Sequence, residues 1–126
     1  MTGPAINSVA WFEFGTGRPD KVKEFYGELF DWKYVLNTDT PAVTYHAVMP
    51  PGTQQPAGGV WDSDGKFSDY AIFYVLVQDV DATVEHAESL GAEVLMAPVS
   101  DSAGLTFARL QDTAGNHFGV FSAPAP

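Results

Sequence analysis

The sequence predicts an α+β chain built from two tandem βαβββ units, and three observations lead there. Two amphipathic helical patterns close at Phe30 and Gly91, 61 positions apart. Strand-like runs recur around each of them at nearly the same offset. Short matches fall within one residue of that period too: Thr44-Tyr45 with Thr106-Phe107, and Gly59-Val60-Trp61 with Gly119-Val120-Phe121. At 126 residues the chain has the length of one domain. The expectation is therefore a single domain over 1–126, with one module at about 5–62, a second at about 69–122, and the polar stretch 63–69 joining them.

The first strand is placed at 6–14, where apolar residues lead up to Gly15. Helix one follows over 19–30. Val22, Phe25, Tyr26, Leu29 and Phe30 fall at i, i+3, i+4, i+7 and i+8, and Pro19 suits a first helical turn. Strands are then expected at 33–37, 43–49 and 57–62, with Pro50-Pro51-Gly52 as the turn between the last two. The fifth strand is placed at 70–77. Helix two covers 79–90, with Asp79 as N-cap, Val80, Val84, Ala87 and Leu90 as its apolar stripe, and Gly91 as its stop. Strands at 93–96, 105–110 and 117–122 complete the second unit, the last two joined by Asp112-Thr113-Ala114-Gly115-Asn116.

Strand alternation sorts side chains by face. Ala10, Phe12 and Phe14 point toward helix one, leaving Val9, Trp11 and Glu13 on the other face. Ala71, Phe73, Val75 and Val77 point toward helix two, opposite Tyr70, Ile72, Tyr74 and Leu76. In the last strand Phe118 and Val120 face the core, and His117, Gly119 and Phe121 face away from it. A helix-free sheet face this rich in Trp and Tyr needs a cover, which is a ligand, a partner chain, or both.

Composition sets further bounds. Six Lys and Arg against sixteen Asp and Glu give a formal charge of −10, which would repel a phosphate backbone, so nucleic acid is not an expected partner. The same charge serves solubility and would also concentrate cationic small molecules. The absence of cysteine excludes disulfides, Cys-ligated zinc and a thiol nucleophile. No apolar run approaches a membrane span and no signal-peptide pattern opens the chain, so a cytoplasmic protein without a membrane partner is expected.

The segments WFEF before the first helix, KEFYGELFDW through its end and DTAGNHFGVF at the last hairpin resemble the vicinal oxygen chelate superfamily, which includes glyoxalases, extradiol dioxygenases and bleomycin resistance proteins. The resemblance covers essentially the whole chain. It implies curved mixed sheets wrapped around a cleft, and a homodimer. The family's metal enzymes carry ligands on the first and last strand of each unit; carried over, those positions fall on Val9, Gly59, Ile72 and Gly119. None of these side chains has a donor for a divalent ion, so no metal and no other cofactor is expected, and glyoxalase or dioxygenase chemistry is not implied.

On the cleft face Glu13 is a candidate general base or an anchor for a cation; the alternative is a strand-end carboxylate, solvated or paired with Arg109. His117 is a candidate donor or proton carrier, or a local hydrogen-bonding group beside its turn. His46 alternates away from Tyr45, Ala47 and Met49, and His86 falls on the outer side of helix two. Trp11, Trp61, Tyr70, Tyr74 and Phe121 form either a pocket for a flat guest, at about 0.5 to 1.5 kcal/mol per ring contact beyond burial, or a dimer interface. The expected function is a metal-independent, small-molecule-binding protein of the glyoxalase/bleomycin resistance type, sequestering a flat cationic or aromatic compound. Its ligand-binding set is Trp11, Glu13, Trp61, Tyr70, Tyr74, His117 and Phe121. One alternative is an enzyme, a lyase, isomerase or related, with Glu13, Tyr70 or His117 transferring a proton; another is a subunit whose cleft is filled by its own side chains.

Overall fold

Each half of the chain runs strand, helix and then three strands. In the computed structural model, which describes residues 4–38 and 44–124, the elements are β1 (Val9–Thr16), α1 (Pro19–Phe30), β2 (Lys33–Leu36), β3 (Tyr45–Met49) and β4 (Gly58–Asp62), followed by β5 (Tyr70–Leu76), α2 (Val80–Ser89), β6 (Glu93–Ser100), β7 (Thr106–Gln111) and β8 (His117–Ser122). The expected start of the third strand at 43 lies outside the described residues. The chain divides into two compact units, one formed by Trp11–Ala71 and the other by Met1–Ala10 with Ile72–Pro126.

The pairing pattern repeats. In the Trp11–Ala71 unit the strand order is β2-β3-β4-β1, with β1 and β4 parallel and the other pairs antiparallel. In the other unit the order β6-β7-β8-β5 mirrors it, with β5 parallel to β8 and the remaining neighbours antiparallel. These are mixed α+β sheets, as the repeat predicts. The two largest boundary differences from expectation have local reasons. β1 starts at Val9, because residues 5–8 form a turn in which the Ser8 N–H donates to the Ala5 carbonyl (3.1 Å) and Asn7 takes φ 70°. β6 runs on to Ser100 because register shifts between Val94 and Met96 and between Met96 and Val99 admit Pro98, which has no N–H for a regular ladder.

The helices end as their sequences dictate. Asp79 caps α2, its Oδ1 accepting from the Ala82 N–H at 3.0 Å, and Gly91 beyond the last turn takes φ 105°, a left-handed conformation that suits glycine. α1 has Pro19 in its first turn and no side-chain cap; it closes at Asp31, also left-handed, whose N–H donates to the Gly27 carbonyl at 2.9 Å.

Packing differs between the units. Val77, Val80, Val84, Ala108, Leu110 and Val120 form an aliphatic core, with Val75, Ala87, Val94 and Phe118 against it. In the Trp11–Ala71 unit the helix–sheet contact is aromatic: Phe14 meets Tyr26 at 5.0 Å, Tyr26 stacks on Trp32 at 5.3 Å, and Phe12 meets Trp32 at 5.5 Å. Among the described residues there, Val48 and Val60 are the fully buried aliphatics. The stripe expected to bury α1 is only partly covered. Phe25 and Leu29 are 59% and 57% exposed and Phe30 is exposed as well, because Tyr26 and Trp32 already fill the space over β1. Among the described residues no helix is long and apolar enough to cross a membrane.

Candidate functional site: a buried carboxylate held by two phenols

With Phe12 and Phe14 committed to α1, alternation turns Trp11, Glu13 and Gly15 to the opposite face of β1. Parallel pairing sets Glu13 beside Gly59 and Gly15 beside Trp61 on β4, and antiparallel pairing sets Ala47 opposite Gly59 and Tyr45 opposite Trp61. From β3 the Tyr45 ring lies across Gly59, in space a side chain at 59 would occupy. Its hydroxyl donates to Glu13 Oε1 at 3.0 Å and accepts from the Trp11 indole N–H at 2.9 Å. Tyr70, at the start of β5, lies across Gly15 in the same way and donates to Glu13 Oε2 at 2.6 Å. Trp61 extends the aromatic wall, 6.5 Å from Tyr70 and 5.7 Å from Phe67.

Glu13 is only 8% exposed, so its solvated alternative is corrected: each carboxylate oxygen accepts a phenolic O–H. Those bonds replace the water a buried carboxylate would otherwise lose, and 2.6 Å lies in the short range of charge-assisted O–H···O bonds. The arrangement can hold a negative charge among rings. It can also pass a proton between Glu13 and Tyr70 along one hydrogen bond.

Four of the seven expected ligand-binding residues, Trp11, Glu13, Trp61 and Tyr70, thus gather in the Trp11–Ala71 unit. The other three lie in the second unit. There Tyr74, 4% exposed, covers its register partner Gly119 and meets Phe121 edge-on at 6.3 Å. His117 is half-buried, and its pKa is lowered by burial and then by the positive charge of Arg109, whose Nη2 lies 3.7 Å from Met96 Sδ. His86 is exposed on α2, as expected; His46 is half-buried, with no hydrogen-bond partner at Nδ1, and burial lowers its pKa. Two site residues were missed by sequence reasoning, Tyr45 and Phe67. The signal for Tyr45 was present: alternation places it opposite to His46, on the face of Trp11 and Glu13.

Of the four positions where the resemblance would put metal ligands, Val9 is exposed, Ile72 is buried, and Gly59 and Gly119 lie beneath the rings of Tyr45 and Tyr74. Valine, isoleucine and glycine offer no side-chain donor, so these residues do not fit a divalent ion. Among the described residues no group of three or more His, Cys, Asp or Glu could hold one.

The fold is shared with solved proteins. A selenomethionine methylmalonyl-CoA epimerase structure superposes with a TM-score of 0.66 at 14% identity, covering 98% of this chain and all of that one. The Mn(II)-bound glyoxalase of Novosphingobium aromaticivorans gives 0.63 at 16% identity over 96% of this chain and 42% of its own. In sequence, the anthracycline biosynthesis protein DnrV of Streptomyces peucetius is 28% identical over 137 aligned positions, covering 96% of this chain and 49% of DnrV. CFP32 of Mycobacterium tuberculosis (strain CDC 1551 / Oshkosh) is 26% identical over 128, covering 90% and 44%. The chain spans about half the length of these curated relatives. Residues 7–120 match the family model described as the Glyoxalase/Bleomycin resistance protein/Dioxygenase superfamily, and the chain belongs to that superfamily.

Proposed function

We propose that this protein binds a flat aromatic or cationic small molecule without a metal, using Trp11, Trp61 and Tyr70 as stacking surfaces and Glu13 as the polar anchor. The observation that carries this reading is the buried Glu13 carboxylate, with a phenol on each oxygen, one bonded to the Trp11 indole and the other 6.5 Å from the Trp61 ring. A cation beside such rings gains from both the carboxylate and the ring faces. Donors at Val9, Gly59, Ile72 and Gly119 are lacking, which supports metal independence. The relative named for anthracycline biosynthesis supports an aromatic ligand class. Tyr74, His117 and Phe121 belong to the same proposal as further ligand-binding residues. Titration with proflavine, a flat cation, should quench Trp fluorescence saturably; no saturable quenching across a panel of flat cationic and neutral aromatics would refute the reading.

A second reading is favoured by the 2.6 Å Tyr70–Glu13 bond: an isomerase or lyase in which Tyr70 or Glu13 moves a proton, with His117 as a further candidate. It predicts turnover with a bell-shaped pH profile that Glu13→Gln abolishes while binding survives.

The proposal extends to the setting. The protein acts as one domain over residues 1–126, in the cytoplasm, as a homodimer, with neither a nucleic-acid nor a membrane partner. The exposed apolar residues of α1 support self-association, and the −10 charge supports the exclusion of nucleic acid. Light scattering that gave the mass of a single chain at every concentration would overturn the dimer.

A further inference from the structure

We infer that Gly15 and Gly59 are positioning residues, each serving as the seat that delivers one phenol to one oxygen of Glu13. This inference rests on the reading of the Glu13 cluster as the binding site. At Gly59 a Cβ would coincide with the Tyr45 ring at Cε1, Cζ and Oη. At Gly15 it would coincide with Tyr70 at Cε2 and Cζ, and lie 2.7 Å from its Oη. In both cases the overlap falls on the end of the ring that carries the hydroxyl bonded to Glu13. Gly15 is the register neighbour of Trp61 and Gly59 that of Glu13, so the seats sit where the indole and the carboxylate are presented.

The geometry explains why these two strand positions lack side chains. Neither Gly15 nor Gly59 has a positive φ, so glycine is not required there by backbone conformation. Any larger residue would push the ring away by its free end, where a tyrosine gives most easily. The chain would then keep its strands and lose the phenol–carboxylate bond. The two seats therefore control the polarity of the site rather than the fold.

The experiment follows the Trp11 indole N–H, which donates to Tyr45, by nitrogen–proton NMR and hydrogen exchange. Gly59→Ala should shift this resonance and reduce its protection to the level of Tyr45→Phe, in which the hydroxyl is absent. In a Tyr45→Ala background, Gly59→Ala should have no further effect, because the ring it displaces is gone. Gly15→Ala should likewise move the resonance of Trp61, beside Tyr70, and should be silent in a Tyr70→Ala background. If Gly59→Ala fails to fold, the double variant with Tyr45→Ala should fold again. An unchanged Trp11 signal in Gly59→Ala, an equal effect with and without Tyr45, or a double variant that still fails to fold would overturn the inference. None of these readouts uses a ligand, so absence of proflavine binding to the unaltered protein would count against the binding reading and leave the seats standing.

Discussion

Glu13 and Tyr74 hold the same place in their respective halves. Each stands on the first strand of its unit, opposite a glycine on the parallel neighbour, Glu13 opposite Gly59 and Tyr74 opposite Gly119. Tyr74 covers its glycine with its own ring. Glu13 has no ring to do so, and Tyr45 covers Gly59 from the adjoining strand, which brings a phenol onto the carboxylate. At the position matching Tyr45 the second half has Phe107, without a hydroxyl. The charged, hydrogen-bonded site therefore belongs to one half of the repeat, where a carboxylate replaces the ring and a phenol replaces the phenyl.

Trp61 lies outside the helix-facing aromatic packing and contacts Phe67 and Tyr70. Trp61→Ala should weaken binding of a flat ligand by about 1 to 3 kcal/mol, the usual range for truncating an aromatic anchor. Fluorescence or calorimetric titration measures this, and a urea midpoint close to that of the unaltered protein would show that the loss belongs to the site.

Replacing Glu13 by Gln removes the charge and turns one acceptor into a donor facing a phenol. The expected stability loss is about 1 to 3 kcal/mol, the cost of an unsatisfied buried polar group. Cationic ligands should lose more affinity than neutral ones of the same shape, and added salt should erode binding of the cationic ones. Equal losses for both ligand types would show that Glu13 acts through packing alone.

Gly58, next to a seat, offers a contrast. A Cβ there would meet the Phe12 backbone oxygen at 2.6 Å as well as the Phe12 ring. Backbone cannot swing aside as a tyrosine can, so Gly58→Ala should cost about 1 to 3 kcal/mol in denaturant unfolding, in the range of overpacking strain. No second substitution of a tyrosine should restore that loss.

Acid should weaken the fold through His46 and His117. Burial is the main reason that both pKa values lie below 6.5, with Lys23 adding to it at His46 against an opposing Asp20, and Arg109 adding to it at His117. The unfolded chain binds these protons more readily than the folded one, so their contribution is complete above the ordinary histidine value and is lost as pH falls below it. Asp112 acts lower. The Asn116 N–H and then other turn donors hold its carboxyl below the usual range, so what it contributes is lost only as pH falls through that depressed value. On acidification from about pH 7.5 to about 5, the span in which histidine titrates, the urea midpoint of the unaltered protein should fall more steeply than that of His46→Gln with His117→Gln; parallel curves would contradict the histidine linkage.

Much of this was legible in the sequence because periodicity reports directly on which side chains share a face. The 61-residue repeat located the ten elements of the described residues, α1 at its observed limits, and alternation put Trp11 with Glu13 and Phe12 with Phe14. The phenols on Glu13 were not legible. Tyr70 was expected on the cleft face, but its bond depends on a ring folding across Gly15, and Tyr45 reaches Glu13 only because β3 pairs beside β4. Pairing between strands distant in sequence is set by register, which composition and spacing do not encode. The bulges of β6 and the exposure of Phe25 and Leu29 were hidden for the same reason: each depends on what neighbouring elements already fill.

The two helices are anchored unequally, and this orders how the molecule opens. α2 inserts Val80 and Val84 into an aliphatic core and begins with a capped turn, whereas α1 buries no residue fully and lacks a side-chain cap. Local opening costs less where fewer apolar contacts must be broken. Amide deuterium should therefore enter α1 before α2, through excursions that leave the sheets paired, and α1 is where a protease would first find extended chain.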